Sequence, residues 1–251
     1  MLAGSLRIKG YDVKTGAERW VVDGITSFVC TTPVIGDGML FFAAWSPGKS
    51  DFPWPSWEAF LAENDKNKDG AVALDELDPA KRDFMRGLDR NRDGKITKDD
   101  WDKLQATTAK AENVMLAIKP GGTGNITATH VDWKFSRGLP YVPSPLFFGG
   151  QIYFVKDGGM ITSLDARTGR ATYTQERLGA IGSYYASPVA ADKHIYLASL
   201  PGKLTVVKAG GDKPDIVHQA EFGERIFATP AIVGDKLYLR TATRLWAFGA
   251  K

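Results

Sequence analysis

Short runs of β-branched and aromatic residues, broken by Gly, Asp and Pro, dominate the hydropathy pattern of this 251-residue chain outside residues 46–112. MLFFAAW (39–45), QIYFV (151–155), HIYLAS (194–199) and KLYLRT (236–241) are the clearest. Apolar runs of about four to eight residues bounded by turn formers predict strands. Each follows a proline unit: TTPVIGDG at Pro33, PSPLFFGG at Pro145, ASPVAADK at Pro188 and ATPAIVGD at Pro230. The turn formers between paired runs, such as Gly36-Asp37-Gly38 and Gly234-Asp235, predict hairpin loops.

Spacing converts these strands into an architecture. Pro145 and Pro188 lie 43 residues apart and Pro188 and Pro230 lie 42 apart, the length of one four-stranded propeller blade. Pro33 to Pro145 spans 112 residues, one repeat and an excess of about 70. A second marker agrees: the turn Asp12-Val-Lys-Thr15-Gly16 recurs 153 residues later as Asp165-Ala-Arg-Thr168-Gly169, two repeats and the same excess. The expectation is a mainly β protein built of blades of four antiparallel strands, with a small α-helical module inserted in one blade. The boundaries read 1–45 for the first propeller part, 46–112 for the insertion and 113–251 for the continuation, and Ser46-Pro47-Gly48-Lys49-Ser50 is a linker by composition.

Within the insertion the apolar period becomes helical, with Trp57, Phe60 and Leu61 before one twelve-residue stretch and Phe84, Met85 and Leu88 before another. The stretches are DKNKDGAVALDE (Asp65 to Glu76) and DRNRDGKITKDD (Asp89 to Asp100). Calcium is a hard cation that takes oxygen ligands from positions 1, 3, 5, 7, 9 and 12 of an EF-hand loop, with Gly at position 6. The first loop offers Asp65, Asn67, Asp69, the carbonyl of Ala71, a water beside Ala73, and Glu76, with Gly70 at the turn. The second offers Asp89, Asn91, Asp93, the carbonyl of Lys95, Thr97 directly or through water, and Asp100, with Gly94 at the turn. The shorter Asp100 reaches an ion less easily than Glu, which predicts a second site weaker for calcium or more tolerant of magnesium. An Asx-rich surface turn uses the same residue types, but two complete patterns with matching flanks favour divalent-ion binding. Val72 and Ile96, at position 8 of each loop, are placed to join the loops through a short two-stranded contact. Pro79 between the loops predicts a very short helix leaving the first and opens the helix that enters the second. So compact a pair suits stabilisation better than a sensor, which needs helices long enough to open a groove.

Charge sharpens the division. Residues 51–112 hold 15 acids against 11 bases, while the whole chain carries +3, so the remainder is mildly basic. It has no Lys/Arg run of the kind that marks a nucleic-acid surface. No apolar stretch is long enough to span a membrane, and residues 1–16 show no signal-peptide pattern. The single cysteine, Cys30, lies in an apolar run and is expected to be a buried, inert thiol. His130, His194 and His218 are scattered, and no His/Cys/Asp group has transition-metal spacing. Pro120-Gly-Gly-Thr-Gly124 lacks a Lys-Ser/Thr pair and reads as a strand-to-strand turn rather than a phosphate loop.

The unit of a Pro-led strand pair followed by L-x-x-x-D-x-x-T-G-x-x-x-W, best seen in Leu6 to Trp20, Ile152 to Tyr173 and Leu237 to Phe248, resembles the quinoprotein-like (PQQ-like) β-propeller repeat. With its EF-hand pair the chain is similar to bacterial PQQ-like repeat proteins that carry such an insertion in a blade. The resemblance implies a ring of seven or eight blades in an extracytoplasmic, periplasmic or secreted protein, and a relation to the outer-membrane barrel-assembly scaffold lipoprotein. Counting two strands before Pro33, three full blades and three more strands gives 17, so the chain is expected to be the C-terminal part of a larger propeller lacking its first blades and any signal peptide. Quinone-dependent alcohol and sugar dehydrogenases share the repeat, but the alcohol-oxidising type places adjacent cysteines beside the quinone and this chain has one cysteine in all. No PQQ and no catalytic residue are therefore expected. Trp20 and Trp133 are expected to pack between blades, with Tyr173 in the equivalent place of the next blade. The leading expectation is a non-catalytic, calcium-binding scaffold or protein-interaction surface with an unidentified protein partner. The alternatives are part of a PQQ-dependent dehydrogenase, or a calcium sensor.

Overall fold

The computed structural model describes residues 1–46, 55–89, 92–109 and 111–249. The chain divides into two compact units, Met1–Pro47 with Glu112–Lys251, and Gly48–Ala111.

Among the described residues the larger unit forms five sheets in chain order, antiparallel except at one edge of the first. The first holds β1 (Leu2–Gly4), β2 (Arg7–Tyr11) and β3 (Glu18–Asp23); the second β4 (Val34–Gly36), β5 (Met39–Ala44), β8 (Val114–Ile118) and β10 (Val131–Phe135). The third holds β11 (Leu146–Phe148), β12 (Gln151–Lys156), β13 (Met160–Asp165) and β14 (Ala171–Arg177), and the fourth β15 (Val189–Ala191), β16 (His194–Ala198), β17 (Lys203–Lys208) and β18 (Asp215–Glu221). The fifth is β19 (Ala231–Val233), β20 (Lys236–Arg240) and β21 (Leu245–Gly249). Each proline unit leads into the first strand of its sheet.

The apolar runs are continuous because the inner strands of a blade are covered on both faces. Along β5, Phe42 and Ala44 join Ile8 and Val22 of the first sheet and Ile25 just beyond it, while Phe41 and Ala43 join Ile152, Phe154 and Leu164 of the third. The alternation repeats in β12, where Tyr153 and Val155 turn the other way to meet Ile195, Leu197 and Val207 of the fourth. Ala198 and Leu204 then meet Leu239 of the fifth and Ile226 of the connection leading to it. Each buried aromatic or aliphatic side chain contributes about 1.5–3 kcal/mol of transfer free energy, so a one-residue register slip in the second, third or fourth blade would disturb two cores.

Two polar devices tie blade to blade. The residue before each repeat proline donates its N–H to the hydroxyl of the equivalent residue in the next blade: Thr32 to Ser144 at 2.8 Å, Ser144 to Ser187 at 2.9 Å and Ser187 to Thr229 at 3.0 Å. The second device is the Asp-x-x-Thr-Gly turn. Asp165 Oδ1 accepts the Thr168 N–H at 2.8 Å and hydroxyl at 2.7 Å, and Gly169 takes φ +69°. The Trp133 ring from the second sheet lies on that glycine, where an added Cβ would sit 2.5 Å from a ring carbon, and its Nε1–H donates to the Ala166 carbonyl at 3.0 Å. The earlier copy of the turn, at Asp12–Gly16, has the same carboxylate bonds and a φ of +71° at Gly16, with no atom within 4 Å of an added Cβ. In the fifth sheet Glu224 clamps the β20–β21 hairpin, accepting from the Thr241 hydroxyl (2.6 Å), the Thr243 N–H (3.0 Å) and the Thr243 hydroxyl (2.8 Å).

Several sequence expectations are corrected here. Three strands precede Pro33, because Leu2–Gly4 pairs with β2. The Gly-rich segment after residue 119 does more than turn: its Gly124–Asn125 forms β9, which runs parallel to β3 with Trp20 opposite Gly124 and completes the first sheet. Asn125 Nδ2 donates to Asp23 at 2.8 Å and the Asp23 N–H to Thr127 Oγ1 at 2.9 Å, where the short helix α4 (Thr127–His130) begins. Cys30 is exposed, not buried. Inward and outward positions alternate through this segment, so Val29 and Thr31 turn inward while Phe28, Cys30 and Thr32 face out. Trp133 and the buried Tyr173 pack between blades as expected, and Trp20 lies against the cluster shared by the first two sheets.

Candidate metal centre

The insertion leaves and rejoins the second sheet between two directly paired strands. Ala44 at the end of β5 stands opposite Val114 at the start of β8. Below this pair the Ser46 N–H donates to Asn113 Oδ1 at 2.9 Å and Asn113 Nδ2 returns a bond to the Ser46 carbonyl at 3.0 Å. The remaining linker residues, Pro47 to Ser50, lie outside the described residues, as does Asn91.

Between these ends the smaller unit forms two helix–loop units around one core. Helix α1 (Trp57–Asn64) starts at Ser56, whose hydroxyl accepts the Ala59 N–H at 3.2 Å, a side-chain N-cap. Helix α2 (Pro79–Met85) opens on the proline, and α3 (Lys98–Thr108) follows the second loop. No helix forms between Glu76 and Pro79 among the described residues; the chain turns there instead. Trp57, Phe60, Val72, Leu77, Met85, Ile96, Trp101 and Leu104 make the core, with Phe60 stacked on Trp101 at 4.2 Å between ring centres. Val72 and Ile96 sit opposite one another in the two-stranded contact of β6 (Val72–Ala73) and β7 (Lys95–Ile96).

The two loops share one backbone path. Position 4 is left-handed in both, at φ +61° for Lys68 and +60° for Arg92, and the position-6 glycines Gly70 and Gly94 both take +85°. A side chain at φ near +85° is strained, so glycine is required there. Asp65 Oδ2 accepts the Gly70 N–H at 3.0 Å, and Asp89 Oδ2 accepts the Gly94 N–H at 2.9 Å. Asp69 Oδ1 accepts the Ala71 N–H at 3.0 Å, and Asp93 Oδ1 the Lys95 N–H at 2.9 Å. Asn67 Oδ1 accepts the Asp69 N–H at 2.8 Å.

At position 12 the loops part. Glu76 reaches back across its loop, Oε1 accepting the Lys66 and Asn67 N–H groups at 3.0 Å each and Oε2 the Ala73 N–H at 2.8 Å. Asp100 stays local: its Oδ2 accepts the Thr97 N–H at 3.1 Å and hydroxyl at 2.6 Å, while the Asp100 N–H lies 3.4 Å from Thr97 Oγ1. Those bonds make a capping box on α3, so the side chains at positions 9 and 12 of the second loop are engaged in starting a helix. A feature outside the sequence pattern links the loops: Lys95 Nζ, from position 7 of the second, lies 2.9 Å from Asp69 Oδ2 of the first. This hydrogen bond, with that of the Ala71 N–H, holds the Asp69 carboxyl below the usual carboxylate range, and the same contact raises Lys95.

The donor set is all oxygen, from carboxylates, side-chain amides, a hydroxyl and main-chain carbonyls, which suits a hard divalent cation. The structure turns those carboxylates onto loop N–H groups: among the described residues no three His, Cys, Asp or Glu side chains are gathered into a metal-binding cluster. His130 ends α4, and His194 and His218 stand on β16 and β18. Among the described residues no helix is long and apolar enough to cross a membrane.

Comparison with known proteins places the larger unit. BamB from Moraxella catarrhalis superposes on 98% of this chain at a TM-score of 0.55 and 12% identity, with 53% of its own length covered. The computationally designed Ika8 protein matches 99% of this chain at 0.58 and 8% identity, with 54% covered. At such identities the likeness is one of fold, and the chain spans about half the length of both structures. No curated protein matches the sequence. The family model described as outer membrane protein assembly factor BamB matches residues 84–251. With four-stranded antiparallel blades on one side and a match over most of its length on the other, the chain belongs to the PQQ-like, BamB-type family of β-propeller repeat proteins.

Proposed function

We propose that this chain is a non-catalytic scaffold of the extracytoplasmic compartment, a propeller surface for a protein partner, in which calcium stiffens the insertion of the second blade. The observation that carries the calcium reading is the duplication of one loop path, left-handed at position 4 and glycine at position 6 in both copies, joined through Val72 and Ile96. Asp65, Asn67, Asp69, the Ala71 carbonyl and Glu76 are the ligands of the first site. Asp89, Asn91, Asp93, the Lys95 carbonyl, Thr97 and Asp100 serve the second, which is weaker for calcium and open to magnesium because Thr97 and Asp100 already bond each other. The propeller reading follows the family, and the location follows its BamB-type members.

Calcium that binds only the folded state stabilises it by RT ln(1 + [L]/Kd), about 2.7 kcal/mol at a hundredfold excess over Kd. The melting temperature of the full chain is expected to rise with millimolar calcium and to fall in chelator. Identical melts in calcium and chelator would remove the calcium reading and leave the family assignment standing.

A further inference from the structure

Lys95 touches both loops at once. Its main chain is position 7 of the second loop, and its ammonium lies 2.9 Å from Asp69 Oδ2, a position-5 ligand of the first. Register accounts for the reach: Lys95 stands opposite Ala73 across β6–β7, so its side chain is carried to the neighbouring loop. Asn67 Nδ2 also approaches that oxygen, at 3.3 Å. The residue at position 7 of the first loop is Ala71, which has no charged side chain to return the contact.

Resting on the calcium reading above, we infer that Lys95 is a tethered competitor for the first site: its ammonium occupies Asp69 when no divalent ion is bound and must leave before Asp69 can coordinate one. The device sets the calcium threshold of the better loop without altering any ligand. An exposed ion pair is weak, and the lysine and aspartate side chains retain 48% and 36% of their exposure. The displacement therefore tunes affinity rather than blocking the site, by about two- to fivefold.

The test is calcium titration of the full chain, followed at the Gly70 and Gly94 amides, which report the two loops separately. Lys95→Met keeps the aliphatic stem and removes the charge, and should tighten the Gly70 transition by about two- to fivefold. Lys95→Arg keeps the charge and should leave it near the wild-type midpoint. A Gly70 midpoint unchanged or weakened in Lys95→Met, with calcium still bound by the wild type, overturns the competition. A wild type whose Gly70 amide does not respond to calcium overturns the calcium reading itself, and this inference with it.

Discussion

Replacing Gly169 by alanine tests the joint between the second and third blades, and Gly16 supplies an internal control. Both glycines close the same Asp-x-x-Thr-Gly turn, at φ +69° and +71°. A left-handed backbone costs a non-glycine residue about 1–2 kcal/mol, and Gly16→Ala should lose only that, since an added Cβ meets nothing within 4 Å. At Gly169 the same Cβ would lie 2.5 Å from Trp133, whose ring is fixed by its bond to the Ala166 carbonyl. The ring must move. Overpacking costs about 1–3 kcal/mol and a lost hydrogen bond about 0.5–1.5 kcal/mol, so Gly169→Ala should fall below Gly16→Ala by roughly 2–4 kcal/mol. Urea unfolding of the full chain, read by circular dichroism at unchanged m-value, measures the difference. Equal losses at the two glycines would refute the claim that Trp133 fixes this joint.

Ser187→Ala removes the acceptor for the Ser144 N–H and should cost about 0.5–1.5 kcal/mol with faster amide exchange at Ser144, whereas Ser187→Thr, the residue found at the equivalent Thr32 and Thr229, should retain the bond. Exchange at Ser144 unaltered by the alanine would dismiss the ladder as incidental. Glu224 is lowered from 4.5 to about 2, first by the Thr241 hydroxyl and then by the Thr243 N–H and hydroxyl. Because the folded value is the lower one, its stabilisation is full above about pH 4.5 and is lost as the pH falls towards 2. Wild type should therefore melt above Glu224→Gln at neutral pH and converge with it in acid; a gap independent of pH would contradict this.

The blades were legible because their signal is repeated: four proline units and two Asp-x-x-Thr-Gly turns fix a period that no single strand could. The core of the insertion was legible for a similar reason, since Trp57, Phe60, Val72 and Ile96 keep helical or loop-fixed positions. β9 was not, because two residues, Gly124 and Asn125, carry no periodicity and are recruited by hydrogen bonds to a strand about a hundred residues earlier. Cys30 was misjudged because an apolar run gave no phase; alternation past Val29 and Thr31 turns it outward. The ligand types of both loops could be read from spacing, and Thr97-x-x-Asp100 also has the spacing of a capping box, but the same two residues stood first as metal ligands; the Lys95–Asp69 contact depends on side-chain reach across β6–β7, which spacing does not encode.

The pairing of Ala44 with Val114 also has a consequence for chain entropy. Closing a flexible loop costs about 0.6 kcal/mol more for each doubling of its length. A disordered connection here would burden the β5–β8 hairpin by several such doublings relative to the tight turns of the other blades. Once the insertion folds, its own contacts fix most of that length, and the effective loop shrinks to the linkers at either end. Anything that melts the insertion then weakens the second blade by lengthening a loop, with no change in the contacts of the blade itself.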